Sequence, residues 1–223
     1  MTKVGLLQFD PTVGDLEQNA RRLVDLATQA KQAGATVGVS TELAVCGYPP
    51  RDLLMERDFV QRSMAVALGM RAPLPVLIGT PIPAEDDRTL PTNGVVRSGP
   101  DATSITNDEH GRIVAEKQLL PTYDVFDEAR YFVAKNRSGL ARSFGCLTLG
   151  VTVCEDAWQS AGMTPSSYAQ DPIEHIAEWT RQGVDIHATV NLSASPFHSD
   201  KFTTRLAVAR HAASVLNLSL IHI

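Results

Sequence analysis

The sequence predicts a layered α/β fold. Short apolar runs rich in β-branched residues alternate with segments of helical period, several helix ends carry capping residues, and three apolar runs end in polar loops. Val4–Phe9 reads as a buried strand. Asp15 can cap the next helix, on which Leu16, Ala20, Leu23, Ala27 and Ala30 recur at helical spacing; Gly34 stops it. A short strand at Val37–Ser40 runs into Thr41-Glu42-Leu43. Gly47-Tyr48-Pro49-Pro50 is loop, because consecutive prolines cannot donate to a helix or a ladder. A helix is expected over Glu56–Gly69.

The middle reads as β-rich. Val76–Gly79 is a strand, and Pro81–Pro91, with its run of charges, a surface loop. Gly94–Val96 and Ser104–Thr106 are short strand candidates. Asp108–Gly111 is a turn into Arg112–Lys117, and Pro121–Asp127 is loop. Alternation then returns. Leu147–Val153 has the unbroken apolar pattern of a strand buried on both faces. Ser160–Gln170 is loop-like. Asp171-Pro172-Ile173-Glu174 combines a cap, a proline at the first helical position and an acid in the first turn. Gly183 ends that helix, Ile186–Leu192 is a buried strand, and a helix covers Phe202–Val215. The strand-to-loop junctions fall at Glu42, Cys154 and Asn191–Ser195, the positions where layered α/β folds collect reactive groups.

The 223 residues suffice for one large core, and 43 % apolar with 20 % charged residues is an ordinary globular balance. A net charge of −5 disfavours nucleic acid and anionic membranes as partners. No apolar run reaches membrane-spanning length, so cytoplasm is the default expectation. Cys46, Cys146 and Cys154 cannot all pair and are expected as free thiols.

Phosphate-binding glycine loops, Cys-x-x-Cys, His-Glu-x-x-His and Gly-x-Ser-x-Gly are all absent from the sequence, and the six histidines are scattered, so no metal site is expected. What remains is Cys154, a thiol at a strand end beside Glu155 and Asp156. A free thiol is mostly un-ionised near neutrality and needs a base or a cation to become a nucleophile. Glu42 as base and Lys117 as stabiliser of the thiolate and of a tetrahedral oxyanion could meet that need, with a backbone N–H after Cys154 as second oxyanion donor. A strand-end cysteine is more often a small buried hydrophobe than a nucleophile, and spacing alone does not choose between the two.

The local sequences add a resemblance. Thr41-Glu-Leu-Ala-Val-Cys-Gly-Tyr-Pro-Pro-Arg-Asp-Leu-Leu54 resembles the glutamate motif of the nitrilase (carbon–nitrogen hydrolase) superfamily. Lys117-Gln-Leu-Leu-Pro-Thr-Tyr-Asp-Val-Phe-Asp-Glu-Ala-Arg-Tyr-Phe132 resembles its lysine motif, and Gly150-Val-Thr-Val-Cys-Glu-Asp-Ala-Trp158 its cysteine motif. With Asn191-Leu-Ser-Ala-Ser-Pro-Phe-His198 and Gln8–Asp15, these are similar to one branch, the N-terminal glutaminase domain of glutamine-dependent NAD synthetase, over nearly the whole chain.

That resemblance implies a four-layer αββα sandwich of two similar halves, with a Glu42–Lys117–Cys154 triad and Glu128 as a supporting charge near Lys117. It implies that Tyr48, Tyr123, Glu155, Ser195 and Lys201 hold L-glutamine. The implied reaction releases ammonia and forms a γ-glutamyl thioester. In the family the ammonia passes to a synthetase domain of the same polypeptide, which uses ATP and Mg²⁺ to amidate deamido-NAD; large homo-oligomers are common. A stand-alone nitrilase-type amidase acting on another small amide is the alternative. The sequence lacks the Ser-Gly-Gly-x-Asp-Ser loop of the synthetase domain, so residues 1–223 are expected to be one glutaminase domain, incomplete at its C-terminal end and holding no cofactor of its own. Leu216–Ile223 does not look like the family's next strand. Thr41 stands where the family commonly has proline, and Phe197 where tyrosine is frequent.

Overall fold

The computed structural model describes residues 3–86, 88–100, 112–135, 139–144, 147–165, 167–196 and 198–223, with the backbone alone for 140–144. Among them, two β-sheets lie face to face with helices on both outer sides. The first sheet has the order β1-β2-β3-β4-β5, formed by β1 (Val4–Leu7), β2 (Val37–Ser40), β3 (Val76–Ile82), β4 (Thr92–Ser98) and β5 (Ile113–Glu116). The second has the order β6-β7-β8-β9, formed by β6 (Gly139–Phe144), β7 (Leu147–Val153), β8 (Ala188–Leu192) and β9 (Ser219–His222). Helices α1 (Leu16–Gln32) and α2 (Arg57–Gly69) join β1, β2 and β3; α3 (Pro172–Arg181) and α4 (Lys201–Leu216) join β7, β8 and β9. Each set of three strands is parallel, so the two sheets contain the same βαβαβ unit.

Packing follows from which way each side chain points. Leu77 of β3 faces the second sheet, while Val76 and Ile78 face α1 and α2, as the period of two in a strand requires. Val37, Val39, Leu77 and Val95 meet Leu149, Val151, Val190 and Leu192 between the sheets. Ile173, Ile176, Val208 and Ala212 seal the outer face of the second sheet. This is the αββα sandwich that the motifs implied.

Helix ends behave as the sequence indicates. The Asp15 carboxylate accepts from the N–H of Gln18, and Gly34 lies in the left-handed region after α1. Asp171 accepts from the N–H groups of Ile173 and Glu174.

Some boundaries differ. β3 continues through Pro81 to Ile82, where a loop was expected to begin. Pro81 is tolerated because β2 pairs only with Val76 and Leu77, so the missing donor falls beyond that ladder. β4 extends two residues past the expected 94–96 at either end. β6 was not anticipated. The closing segment, expected not to continue the sheet, does so: β9 pairs in parallel with β8. Its alternation explains why. Leu218 and Leu220 pack toward the helices, and Ile221 and Ile223 toward the inter-sheet core. The candidates at Ser104–Thr106 and Asp108–Gly111, with Cys146 and Phe197, lie outside the described residues.

Candidate active site

β4 is antiparallel to both β3 and β5, so β5 runs in the direction of β2. Glu42 just after β2 and Lys117 just after β5 therefore emerge at one end of the first sheet. Cys154 after β7 and Ser193 after β8 emerge from the second sheet to meet them. Two of these turns carry a non-glycine residue in the left-handed region, Leu43 (φ +49°) and Cys154 (φ +46°), a conformation that costs on the order of 1 kcal/mol and concentrates at functional sites.

Lys117 is the hub. Its Nζ donates to Glu42 Oε1 at 2.8 Å and lies 2.7 Å from Glu128 Oε2. Glu42, Lys117, Glu128 and Cys154 are all 5 % exposed or less. The Glu42 carboxylate also accepts from Asn93 Nδ2 at 2.8 Å and, through its other oxygen, from the Ala194 N–H at 3.0 Å. Tyr48 donates its hydroxyl to Glu128 Oε1 at 2.9 Å. Glu128, expected near Lys117, forms a direct ion pair with it, whereas Tyr48 meets Glu128 and lines the adjoining cavity.

Electrostatics bind the set together. Burial works against the Lys117 ammonium, but the Glu128 and Glu42 carboxylates more than reverse it and hold its pKa well above the lysine range. Burial pushes Glu128 up to about 7, with Lys117 pulling it back. Burial raises the Cys154 thiol, the Glu42 charge raises it further, and Lys117 opposes both.

Asp156, which sequence reasoning passed over, fastens the two sheets at this point. Its buried carboxylate accepts from the N–H groups of Gln118 and Leu119, both at 3.0 Å, and of Val153 at 3.1 Å. One side chain thus holds the backbone after Lys117 and the backbone before Cys154. Asn191 does related work, donating from Nδ2 to the Cys154 carbonyl at 3.2 Å. Ser193 donates its hydroxyl to Cys154 Sγ at 3.4 Å. An acid two residues beyond a strand-end cysteine was visible as Cys-Glu-Asp, but nothing in the sequence says that its partners are backbone N–H groups 37 and 38 residues away.

A second cluster adjoins the thiol. Tyr123 donates to both Glu155 oxygens, at 2.8 and 2.9 Å, and Tyr168, unanticipated, reaches the same carboxylate at 3.4 Å. Lys201 lies over the Trp158 ring, 4.7 Å from its centroid. Burial and the nearby Arg205 lower its pKa, while the charges of Cys154, Glu155 and Asp124 act the other way. Ser195 is held by Arg205, whose guanidinium donates to its hydroxyl at 2.6 Å and to its carbonyl at 2.8 Å. A cavity of about 1320 Å³ is lined by Glu42, Tyr48, Glu128, Ser193, Ser195 and Arg205, among others. Among the described residues, no cluster of His, Cys, Asp and Glu could hold a metal ion, and no helix is long and apolar enough to cross a membrane.

No family model matches the chain. It is 34 % identical over 231 aligned residues to the glutamine-dependent NAD(+) synthetase of Synechocystis sp., a match covering 100 % of this chain and 39 % of that protein. It is 31 % identical to the Thermotoga maritima enzyme of the same name, covering 89 % of this chain and 31 % of the relative. The chain therefore spans well under half the length of these relatives. Among solved structures, the glutamine-dependent NAD+ synthetase of Acinetobacter baumannii superposes with a TM-score of 0.75 at 23 % identity, over 97 % of this chain and 37 % of that one. An amidase of the nitrilase superfamily from Nesterenkonia superposes with a TM-score of 0.72 at 16 % identity, over 99 % of this chain and 75 % of that one. The chain is thus similar along its whole length to part of the glutamine-dependent NAD(+) synthetases, and it shares its sandwich fold with the nitrilase-superfamily amidase.

Proposed function

We propose that the chain is a glutamine amidohydrolase domain whose nucleophile is Cys154. The observation that carries this reading is the buried Glu42–Lys117–Glu128 array beside the thiol. Glu42 takes the thiol proton as Sγ attacks the side-chain amide carbon, and the carbonyl π electrons move to oxygen. The Lys117 ammonium and the N–H of Glu155 stabilise that oxyanion. As the C–N bond breaks, Glu42 returns the proton and ammonia leaves, with a γ-glutamyl thioester on Cys154. Water, giving a proton to Glu42, attacks the thioester carbon; the C–S bond breaks, glutamate leaves, and Glu42 returns the proton to the Cys154 sulfur. Glu128 keeps Lys117 charged and in place.

Glutamine is favoured by the second cluster. A free amino acid brings an ammonium and a carboxylate. Glu155, with Tyr123 and Tyr168 on it, suits the ammonium; Lys201, Ser195 and Arg205 suit the carboxylate. The names of the relatives support the same substrate. In a longer parent polypeptide the ammonia would serve a synthetase domain that uses ATP and Mg²⁺ to amidate deamido-NAD, and that full-length protein would assemble into homo-oligomers. The alternative, an amidase for another small amide, draws on the fold neighbour alone; a form of the Nesterenkonia amidase carries the acetamide moiety of fluoroacetamide on its active-site cysteine.

Incubation with L-glutamine is expected to yield glutamate and ammonia in equal amounts, and Cys154→Ala to stop both. Release that survives Cys154→Ala, or release from acetamide but not from glutamine, would overturn the proposal.

A further inference from the structure

The thiol faces a charge problem that the triad alone does not solve. Cys154 Sγ is buried beside two carboxylates, Glu42 and Glu128, and one ammonium. Lys117 Nζ bonds to both carboxylates at 2.7–2.9 Å, which leaves one of its three donors, the one that serves the oxyanion in the reaction proposed above. Yet the sulfur must carry negative charge twice in the reaction proposed above, when it is deprotonated for attack and when it departs from the thioester. A buried anion requires a donor aimed at it.

The segment after β8 supplies one. Ser193 Oγ donates to Sγ at 3.4 Å, within hydrogen-bond range for sulfur. Ser193 is buried yet lines the cavity that Glu42 also lines. Its backbone leaves it little freedom. The Ser193 N–H donates to the Ile223 carbonyl at 2.7 Å, and the Ile223 N–H to the Asn191 carbonyl at 3.1 Å. The next N–H, of Ala194, donates to Glu42 Oε2. Two residues before Ser193, Asn191 Nδ2 holds the Cys154 carbonyl. The four-residue stretch Asn191–Ala194 thereby fixes the nucleophile's backbone, the nucleophile's sulfur and the base.

We propose that Ser193 is a further catalytic residue, whose hydroxyl donates to Cys154 Sγ and stabilises the sulfur anion both as nucleophile and as leaving group. The serine keeps its own proton throughout; Glu42 alone takes up and returns the proton that moves. This inference rests on Cys154 as nucleophile but not on the identity of the amide.

The test reads the sulfur without any substrate. The rate of Cys154 alkylation by iodoacetamide is followed against pH by mass spectrometry, with Cys154→Ser to assign the label. Ser193→Ala is expected to move the midpoint of that profile upward and to slow alkylation at neutral pH about tenfold or more, the scale of a lost hydrogen bond to a charged group. Ser193→Thr, which keeps the hydroxyl, is expected to stay within about twofold of the unsubstituted protein on the same scale. A midpoint unmoved in Ser193→Ala, or moved equally in Ser193→Thr, overturns the proposal. If Ser193→Ala loses its far-UV circular dichroism, Ser193→Gly carries the same comparison. Since alkylation requires no glutamine, a failure of glutamine as substrate leaves this result readable.

Discussion

Replacing Gly79 with alanine should disable the site from behind. Gly79 lies in β3, directly under the turn that presents Glu42. A Cβ there would stand 2.5 Å from Leu43 N and from Thr41 O, and 2.8 Å from Glu42 Cα. Ordinary van der Waals contact begins near 3.4 Å, so the turn must retreat by about 0.9 Å, and the obstructing atoms are backbone that cannot swing aside. The Glu42 carboxylate is held by bonds of 2.8, 2.8 and 3.0 Å to Lys117, Asn93 and Ala194. Lengthening them by that much breaks them. A misplacement of about 1 Å in a catalytic group costs roughly hundredfold in rate, and overpacking costs about 1–3 kcal/mol of stability. The assay is glutamate release at saturating glutamine, with urea unfolding alongside. Gly69→Ala is the control, because nothing lies within 4 Å of its added carbon; it should leave the rate unchanged. A folded Gly79→Ala protein with its rate within about twofold of the unsubstituted one would refute the reasoning.

Three further outcomes are expected. Lys117→Met leaves the buried Glu42 and Glu128 carboxylates without their cation, so it should cost about 3–5 kcal/mol in urea unfolding; adding Glu128→Gln should recover part of that loss, and no recovery would count against the ion pair. Asp156→Asn turns one of the acceptor oxygens into a donor facing backbone N–H groups, so kcat for glutamate release should fall while KM holds, with about 1–3 kcal/mol lost in stability; an unchanged kcat would remove Asp156 from the positioning of Cys154 and Lys117. The Glu128 carboxyl, at about 7 against an ordinary 4.5, binds its proton more tightly folded than unfolded. Its stabilising contribution is therefore fully present below about pH 4 and is lost as pH rises through about 7. Glu128→Gln should flatten the melting temperature between those limits, and an identical slope in both proteins would contradict this.

The sequence announced the second sheet's two central strands plainly. Leu147–Val153 and Ala188–Leu192 are largely buried on both faces, the second beginning two residues after the expected Ile186, and a strand sealed between another sheet and a helix layer can be unbroken in its apolar character. α1 and α3 were legible because Asp15 and Asp171 cap them locally. β6 was hidden, since Gly139–Phe144 shows no period of two and is defined by pairing with β7. β9 was misjudged because a short strand is recognised by its neighbour as much as by its own residues. At the site, the grouping of Glu42, Lys117 and Cys154 was legible from the motifs that surround them, since neither their residue types nor their spacing singles them out. Asp156, Asn93, Ser193 and the Ala194 N–H were not, because their work is contact across long separations, and Asn or Ser at a strand end is ordinary on its own.

The site is split between the two sheets. Glu42 and Lys117 come from one and Cys154 and Ser193 from the other, joined by the Ala194–Glu42 and Gln118–Asp156 bonds. Turnover of the proposed reaction would therefore gauge how well the sheets are docked. A loosened state, with its helices and strands intact but the interface between them wet, would keep its far-UV signal and lose the reaction altogether. Along a denaturation curve the chemistry should vanish before the secondary structure does, because it belongs to neither half of the sandwich alone.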